Sequence, residues 1–195
     1  PYDGEANSYD RAKELAVDAR GDVVVIGESV IGESVLTGRK GIVVLKYKKS
    51  GEFAWAQPAR WDPNPGDPKP AGFEAADLAL DGKGDIYVAG RVSYTGGSSK
   101  ALTFASMWKA RGSDGAELKT WRYTPPDGVE NSSFEALTVR GSSVVATGSV
   151  WPEDVDGFKN ALIVKFDRRV QKKTSKEWGV GNKSEEWFNA AVIDG

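Results

Sequence analysis

The side chains able to do chemistry in this chain are carboxylates and tryptophans, because its 195 residues include no His and no Cys. Those two absences exclude Ser-His-Asp triads, cysteine nucleophiles, imidazole proton transfer and the usual protein zinc and haem sites. They also exclude disulfides, so cysteine pairing says nothing about redox compartment. The densest acidic run is Glu153-Asp154-Val155-Asp156-Gly157. Calcium takes six to eight oxygens, and carboxylate loops containing glycine can supply them, which makes Asp154 and Asp156 the candidate metal ligands. The run lacks the full loop signature and a distal Glu, so no cofactor is expected, with calcium as the alternative. Paired carboxylates also hydrolyse glycosides without histidine, but nothing in the spacing sets two of them the required few ångströms apart. The chain therefore reads as a non-enzyme, with a carboxylate-dependent glycoside hydrolase or lyase as an alternative.

Tryptophan is the second resource. Trp61, Trp151 and Trp187 lie in or near long connections and are the candidate ligand-binding residues, since exposed aromatics stack on sugar rings or anchor a protein partner. The competing reading is that they cover the loops they sit in. Asn131-Ser132-Ser133 fits the glycosylation acceptor pattern, which matters only in a eukaryotic secretory setting. Gly96-Gly97-Ser98-Ser99 is a flexible tip rather than a phosphate loop, as no helical pattern follows it.

Charge narrows the partners. With 26 basic and 28 acidic residues the formal net charge is −2, and no basic stripe points to nucleic acid. No apolar run approaches the ~20 residues of a membrane-spanning helix. Pro1 is no translation start, so the chain reads as processed, trimmed or cut from something longer.

The elements that must position these residues are repeated. One copy runs Leu15-Ala16-Val17-Asp18, Gly21 to Gly27, Val43 to Tyr47, Ser50-Gly51 and Trp55. The next runs Leu78 to Asp81, Gly84 to Gly90, Ser106 to Ala110, Asp114-Gly115 and Trp121. A third runs Leu137 to Val139, Gly141 to Gly148, Leu162 to Phe166 and Trp178, and a fourth starts at Ala190 and ends at Gly195. Gly27, Gly90 and Gly148 keep a period of about 60 residues, as do Lys46, Lys109 and Lys165. Each copy predicts four β-strands: a short one closed by Asp18 or Asp81, a continuous apolar run suited to burial on both faces, a third apolar strand, and a fourth bearing tryptophan. The recurring Asp18, Asp81 and Asp194 read as turn caps. Tyr9–Ala16 taken alone fits a helical turn, but its copies at Phe73–Leu80 and Phe134–Val139 read as loop entering a strand. Trp55, Trp121 and Trp178 keep the repeat register and Trp108 sits within a strand, so all four read as packing residues.

Four-stranded units of this length are the pattern of β-propeller blades. The chain resembles the bacterial β-propeller repeats of the SBBP type, most closely at Asp22 to Gly27, Lys46-Tyr47, Ser50-Gly51 and Trp55. The third copy departs, with Arg140 for the Asp and Arg168-Arg169-Val170 for the Ser-Gly turn. The resemblance implies an all-β fold of four-stranded antiparallel blades and a secreted or cell-surface protein, and it brings no catalytic residues. Residues 1–195 read as one propeller region or fragment, with blades at about 9–70, 71–132 and 133–187 and a partial one at 188–195. Three blades do not close a ring, so either further blades or self-association of two copies would complete it. Strand alternation puts the links between strands two and three, and between blades, on one face. These read as Glu28–Gly41, Arg91–Leu102, Ser149–Asn160, Ala59–Gly72, Thr124–Ser133 and Gly179–Glu186, against short links on the other face. Loops carry function on scaffolds, so the long-loop face is expected to receive a protein or glycan partner. The expected function is structural or recognition, with a carbohydrate-binding propeller as the alternative.

Overall fold

The computed structural model describes residues 10–31, 39–59, 70–95, 101–124, 130–152 and 159–178. They form twelve strands and, among the described residues, no helix. Sheet 1 holds β1 (Arg11–Val17), β2 (Val23–Ile31), β3 (Arg39–Tyr47) and β4 (Phe53–Ala59). Sheet 2 holds β5 (Pro70–Leu80), β6 (Ile86–Thr95), β7 (Ala101–Ala110) and β8 (Glu117–Arg122). Sheet 3 holds β9 (Glu130–Arg140), β10 (Ser143–Pro152), β11 (Asn160–Asp167) and β12 (Lys172–Trp178). Each is an antiparallel meander in sequence order, the all-β repeat that the sequence pattern predicts. The described residues do not close a propeller ring.

The sheets pack face to face in chain order. Val24, Ile26, Ile42 and Val44 of sheet 1 meet Ile86, Val88, Trp108 and Ala110 of sheet 2 in one cluster. Tyr87, Ala89 and Met107 of sheet 2 meet Val144, Leu162, Val164 and Phe166 of sheet 3 in the other. Strand alternation explains how one strand serves two neighbours: Ile86 and Val88 point one way, Tyr87 and Ala89 the other. All four are 0% exposed, so the continuous apolar run of β6 does mark a strand covered on both faces. The first strands cluster, β1 against β5 and β5 against β9, which makes strand one the inner strand of each sheet.

The tight turns follow from Asp and Gly. Asp18 Oδ1 accepts the N–H groups of Arg20 and Asp22, and Asp81 Oδ1 those of Lys83 and Asp85. Gly21 (φ 86°) and Gly84 (φ 83°) take the left-handed position that glycine adopts without a Cβ clash. In sheet 3 the cap moves to the other turn, where Asp167 Oδ1 accepts from Arg169 and Gln171. Val170 there has φ 57°, matching Gly51 and Gly115, so the Arg168-Arg169-Val170 turn keeps the geometry despite lacking glycine. Its side chain is 1% exposed in the core, and that burial offsets the backbone strain.

The inner strands are longer than expected. Phe73–Leu80 and Phe134–Val139 are strand throughout, and β5 and β9 begin at Pro70 and Glu130. The connections shorten accordingly: the link 96–100 is no longer than the turn at 111–116, so the contrast in loop length between the two ends is smaller than the sequence suggests.

Candidate functional site

A recurring β-bulge builds a groove on the described surface. The register of strand one slips between Ala12 and Glu14, between Ala75 and Asp77, and between Phe134 and Ala136. The extra residues are Lys13, Ala76 and Glu135, at the same position of each copy. A bulge bends its strand and re-aims the side chain it carries. Opposite each bulge stands the recurring glycine: Ala12 pairs with Gly27, Ala75 with Gly90 and Phe134 with Gly148. A Cβ on Gly90 would lie 2.0 Å from the Glu74 carbonyl oxygen, and one on Gly148 2.0 Å from that of Ser133. These glycines are thus required by close backbone approach, not by a left-handed φ.

Lys13, Glu74, Arg91, Ser133 and Glu135 line the resulting groove, of about 330 Å³, with the backbone of Gly90 as part of its wall. It spans the inner strands of all three sheets, near the middle of β5 and β9. Lys13 Nζ lies 3.0 Å from Glu28, and Arg91 holds Glu74 through Nε at 2.9 Å and Nη2 at 2.6 Å. The Ser133 hydroxyl donates to Glu135. Both side chains of the Arg91–Glu74 pair are over 40% exposed, and such pairs contribute only about 0–1 kcal/mol to stability. A charged or hydrogen-bonding ligand can therefore exchange for these partners at little cost to the fold.

Beside the groove, Asp77 clips sheet 2 to sheet 3. Its Oδ2 accepts the Leu137 N–H at 2.6 Å and its Oδ1 the Leu78 N–H at 2.7 Å. Burial raises its pKa above the ordinary carboxylate value, the two N–H groups pull it back in part, and the charge of Glu14 adds to the rise. Glu14 accepts the Leu15 N–H at 3.0 Å. Both Asp77 oxygens are thus held by backbone donors, one within sheet 2 and one across to sheet 3. Among the described residues no group of three or more acidic side chains could hold a metal ion.

The residues singled out from sequence fare differently. Trp61, Trp187, Asp154 and Asp156 lie outside the described residues. Trp151 is half-buried near the loop end of β10, opposite Asn131, and Lys159 Nζ sits 5.3 Å from the centre of its ring. One ring face is thus in a cation–π contact within the chain. Asn131 and Ser132 bind sheet 2 rather than stand clear of it: Asn131 Oδ1 accepts the Thr103 N–H at 2.8 Å, and Ser132 Oγ the Ala105 N–H at 2.9 Å. Trp108 is core, 1% exposed, with Nε1 donating to Glu117 at 2.8 Å. Trp55 packs against the cluster between sheets 1 and 2 and Trp121 against the one between sheets 2 and 3, the packing role expected of them.

The groove residues were not singled out from sequence. The recurring Gly27, Gly90 and Gly148 were the available signal, because a glycine inside a strand pattern marks a bulge or close approach. The recurring lysine is a second feature whose role residue type alone does not reveal. Lys46 Nζ meets Asp18 at 3.0 Å, Asp22 at 3.4 Å and, on sheet 2, the Gly112 carbonyl at 3.2 Å. Lys109 repeats this, meeting Asp85 at 3.0 Å and, on sheet 3, the Arg168 carbonyl at 2.9 Å. The recurring lysine is a peg from each sheet into the next. Burial works against the Asp18 charge, but bonds from Lys46 and the Asp22 and Arg20 N–H groups outweigh it and lower its pKa. No protein-family model matches the chain, and no curated protein matches it either.

Proposed function

We propose that the chain is a non-catalytic β-propeller module, secreted or on the cell surface, whose loop end recognises a protein or glycan. Its three sheets would be blades and its clustered first strands would line the central channel. The resemblance of the repeat to SBBP-type sequences supports the blade reading, and so does the stacking of four-stranded meanders in chain order. The observation that carries recognition is the bulge groove: the inner strands bring Lys13, Glu74 and Glu135 together beside Arg91 of β6, and the Arg91–Glu74 pair is exposed enough for a ligand to displace.

Arrays of glycans and of peptides, probed with wild type and with Arg91→Ala and Glu135→Ala, test this reading. Binding weakened tenfold or more by the groove substitutions supports it. Binding that survives them but is lost in Lys49→Ala or Arg169→Ala, on the short-turn end, would show that the wrong face was chosen. The glycan version rests on Trp151, and Trp151→Ala should then abolish glycan binding while leaving peptide binding intact.

A further inference from the structure

Building on the bulge groove as the recognition site, we infer that the groove takes a cation: its guest is the charged end of an arginine or lysine side chain on a partner protein, and Glu135 receives it. The bulges put Lys13, Ala76 and Glu135 at one repeat position on three neighbouring inner strands. The middle one is alanine, so the space over β5 stays open between a lysine on one flank and a glutamate on the other. The groove's 330 Å³ lies at the low end of the roughly 300–1,000 Å³ of small-molecule sites, which suits one side chain better than an oligosaccharide.

Charge selects the guest. Both cations of the groove are answered, Lys13 by Glu28 at 3.0 Å and Arg91 by one oxygen of Glu74. Glu135 is not. It is exposed, and among the described residues its one bond comes from the Ser133 hydroxyl, which orients the carboxylate without balancing its charge. Ser133 is only 4% exposed, so that hydroxyl is held in place. Two cations against Glu28, Glu74 and Glu135 leave a net charge of −1. Glu14 and Asp77, next along the same strands, add to that sign. An anionic guest would have to pull Glu28 or Glu74 off its cation and then face the remaining carboxylates. A cationic guest meets a carboxylate already oriented and unpaired, and such charge-assisted bonds are the stronger kind.

The rest of the lining favours a side chain over a sugar or a metal ion. Ala76 and the Gly90 backbone offer the apolar wall along which an alkyl stem lies while its charged head reaches the carboxylate. A sugar ring finds no platform, because the aromatic residue of the lining, Phe134, is 1% exposed. Trp151 stands further along β10, opposite Asn131, with Lys159 over its ring. A metal such as calcium wants six to eight oxygens, and no group of three acidic side chains among the described residues gathers to supply them.

Titration of the isotope-labelled full chain, followed by NMR, tests this. The probes are N-acetyl-arginine amide and N-acetyl-lysine amide, with N-acetyl-citrulline amide as the neutral isostere, N-acetyl-glutamate amide as the anion and methyl glucoside as the sugar. The two cations should give saturable shifts at the amides of Ala76, Gly90 and Glu135, with dissociation constants of about 1–10 mM that rise with added salt. Glu135→Gln should weaken them at least about tenfold. Ala76→Arg, at an exposed position, seats a guanidinium in the groove and should abolish them. Both variants should keep the wild-type spectrum away from the groove. Citrulline, glutamate or glucoside bound at these amides as tightly as arginine overturns the choice of a cation and leaves the groove standing as the recognition site. Cation binding unchanged by Glu135→Gln overturns the role of that residue. Cations that leave these amides unmoved overturn the inference outright, and binding of array peptides that Arg91→Ala weakens then shows whether the groove reads another chemistry.

Discussion

Substituting alanine at Gly90 adds one methyl group, and the structure says what it meets. The new Cβ would sit 2.0 Å from the Glu74 carbonyl oxygen and 3.0 Å from the Ala75 Cα, where ordinary contact begins at 3.4 Å. The overlap with the oxygen is thus at least 1.4 Å, the difference between 3.4 and 2.0. The obstacle is backbone, pinned by the bulge between Ala75 and Asp77, so no side chain can swing aside. Overpacking in less rigid places costs about 1–3 kcal/mol, which sets about 3 kcal/mol as the floor here. At Gly27 the same contact is 2.9 Å, an overlap of 0.5 Å with backbone that must still shift, which puts the cost within the range of about 1–3 kcal/mol and below that at Gly90. Gly82 has nothing within 4 Å and a φ open to any residue, so Gly82→Ala should stay within about 0.5 kcal/mol of wild type. Urea unfolding at equilibrium, with thermal melts in parallel, should rank them Gly82, Gly27, Gly90. The Gly90→Ala melting point should fall by about 6–12 °C, at roughly 2–4 °C per kcal/mol for a chain of this length. A Gly90→Ala protein no less stable than Gly27→Ala would refute the claim that close approach, rather than turn geometry, fixes the recurring glycine.

Other consequences are as direct. Lys46→Met removes the cation between two largely buried carboxylates and should cost about 3 kcal/mol, whereas Lys165→Met, at the same repeat position but exposed, should change monomer stability by less than about 0.5 kcal/mol in dilute urea titrations. Asp18 has a lowered pKa, so its contribution is complete above the unfolded value near 3.8 and is lost as pH falls through the lower folded value. Unfolding free energies measured from pH 6 to 2 should therefore fall less steeply in Asp18→Asn than in wild type. Val170→Ala keeps the positive φ but loses buried methyl groups and should destabilise by about 1–2 kcal/mol, while Val170→Gly also relieves the strain and should cost no more than Val170→Ala despite removing more side chain.

Strands two and three were legible because their apolar runs end in glycine and recur. The number of sheets and their order follow from that recurrence. The first half of strand one was not legible, and the bulge explains it. Phe73 and Ala75 face sheet 1 at odd positions, while Leu78 faces it at an even one, so the alternation that marks a strand breaks at Ala76. Phe134 and Leu137 break phase around Glu135 in the same manner. The lysine pegs were visible as a recurring residue but not as a function, since their target carbonyls lie about 60 residues further along the chain and belong to backbone, which carries no sequence signal. Asp77 was hidden for the same reason: its partner is the Leu137 N–H. Val170 shows the limit of turn rules, for no residue-type signal marks a valine at φ 57° held by its own burial.

Among the described residues, sheet 2 is flanked by a sheet on both faces, while sheets 1 and 3 are each flanked by one. In an array whose stability is a sum of unit and nearest-neighbour terms, the central unit can open only after a neighbour has let go. Fluctuations should then fray inward from the two end sheets. In native-state hydrogen exchange, the amides of Tyr87 and Val88 should be the last to exchange, and those of Leu15 and Val17 among the first. The middle sheet is in this sense the keel of the molecule: the slowest motions belong to the sheet that, among the described residues, is packed between two others.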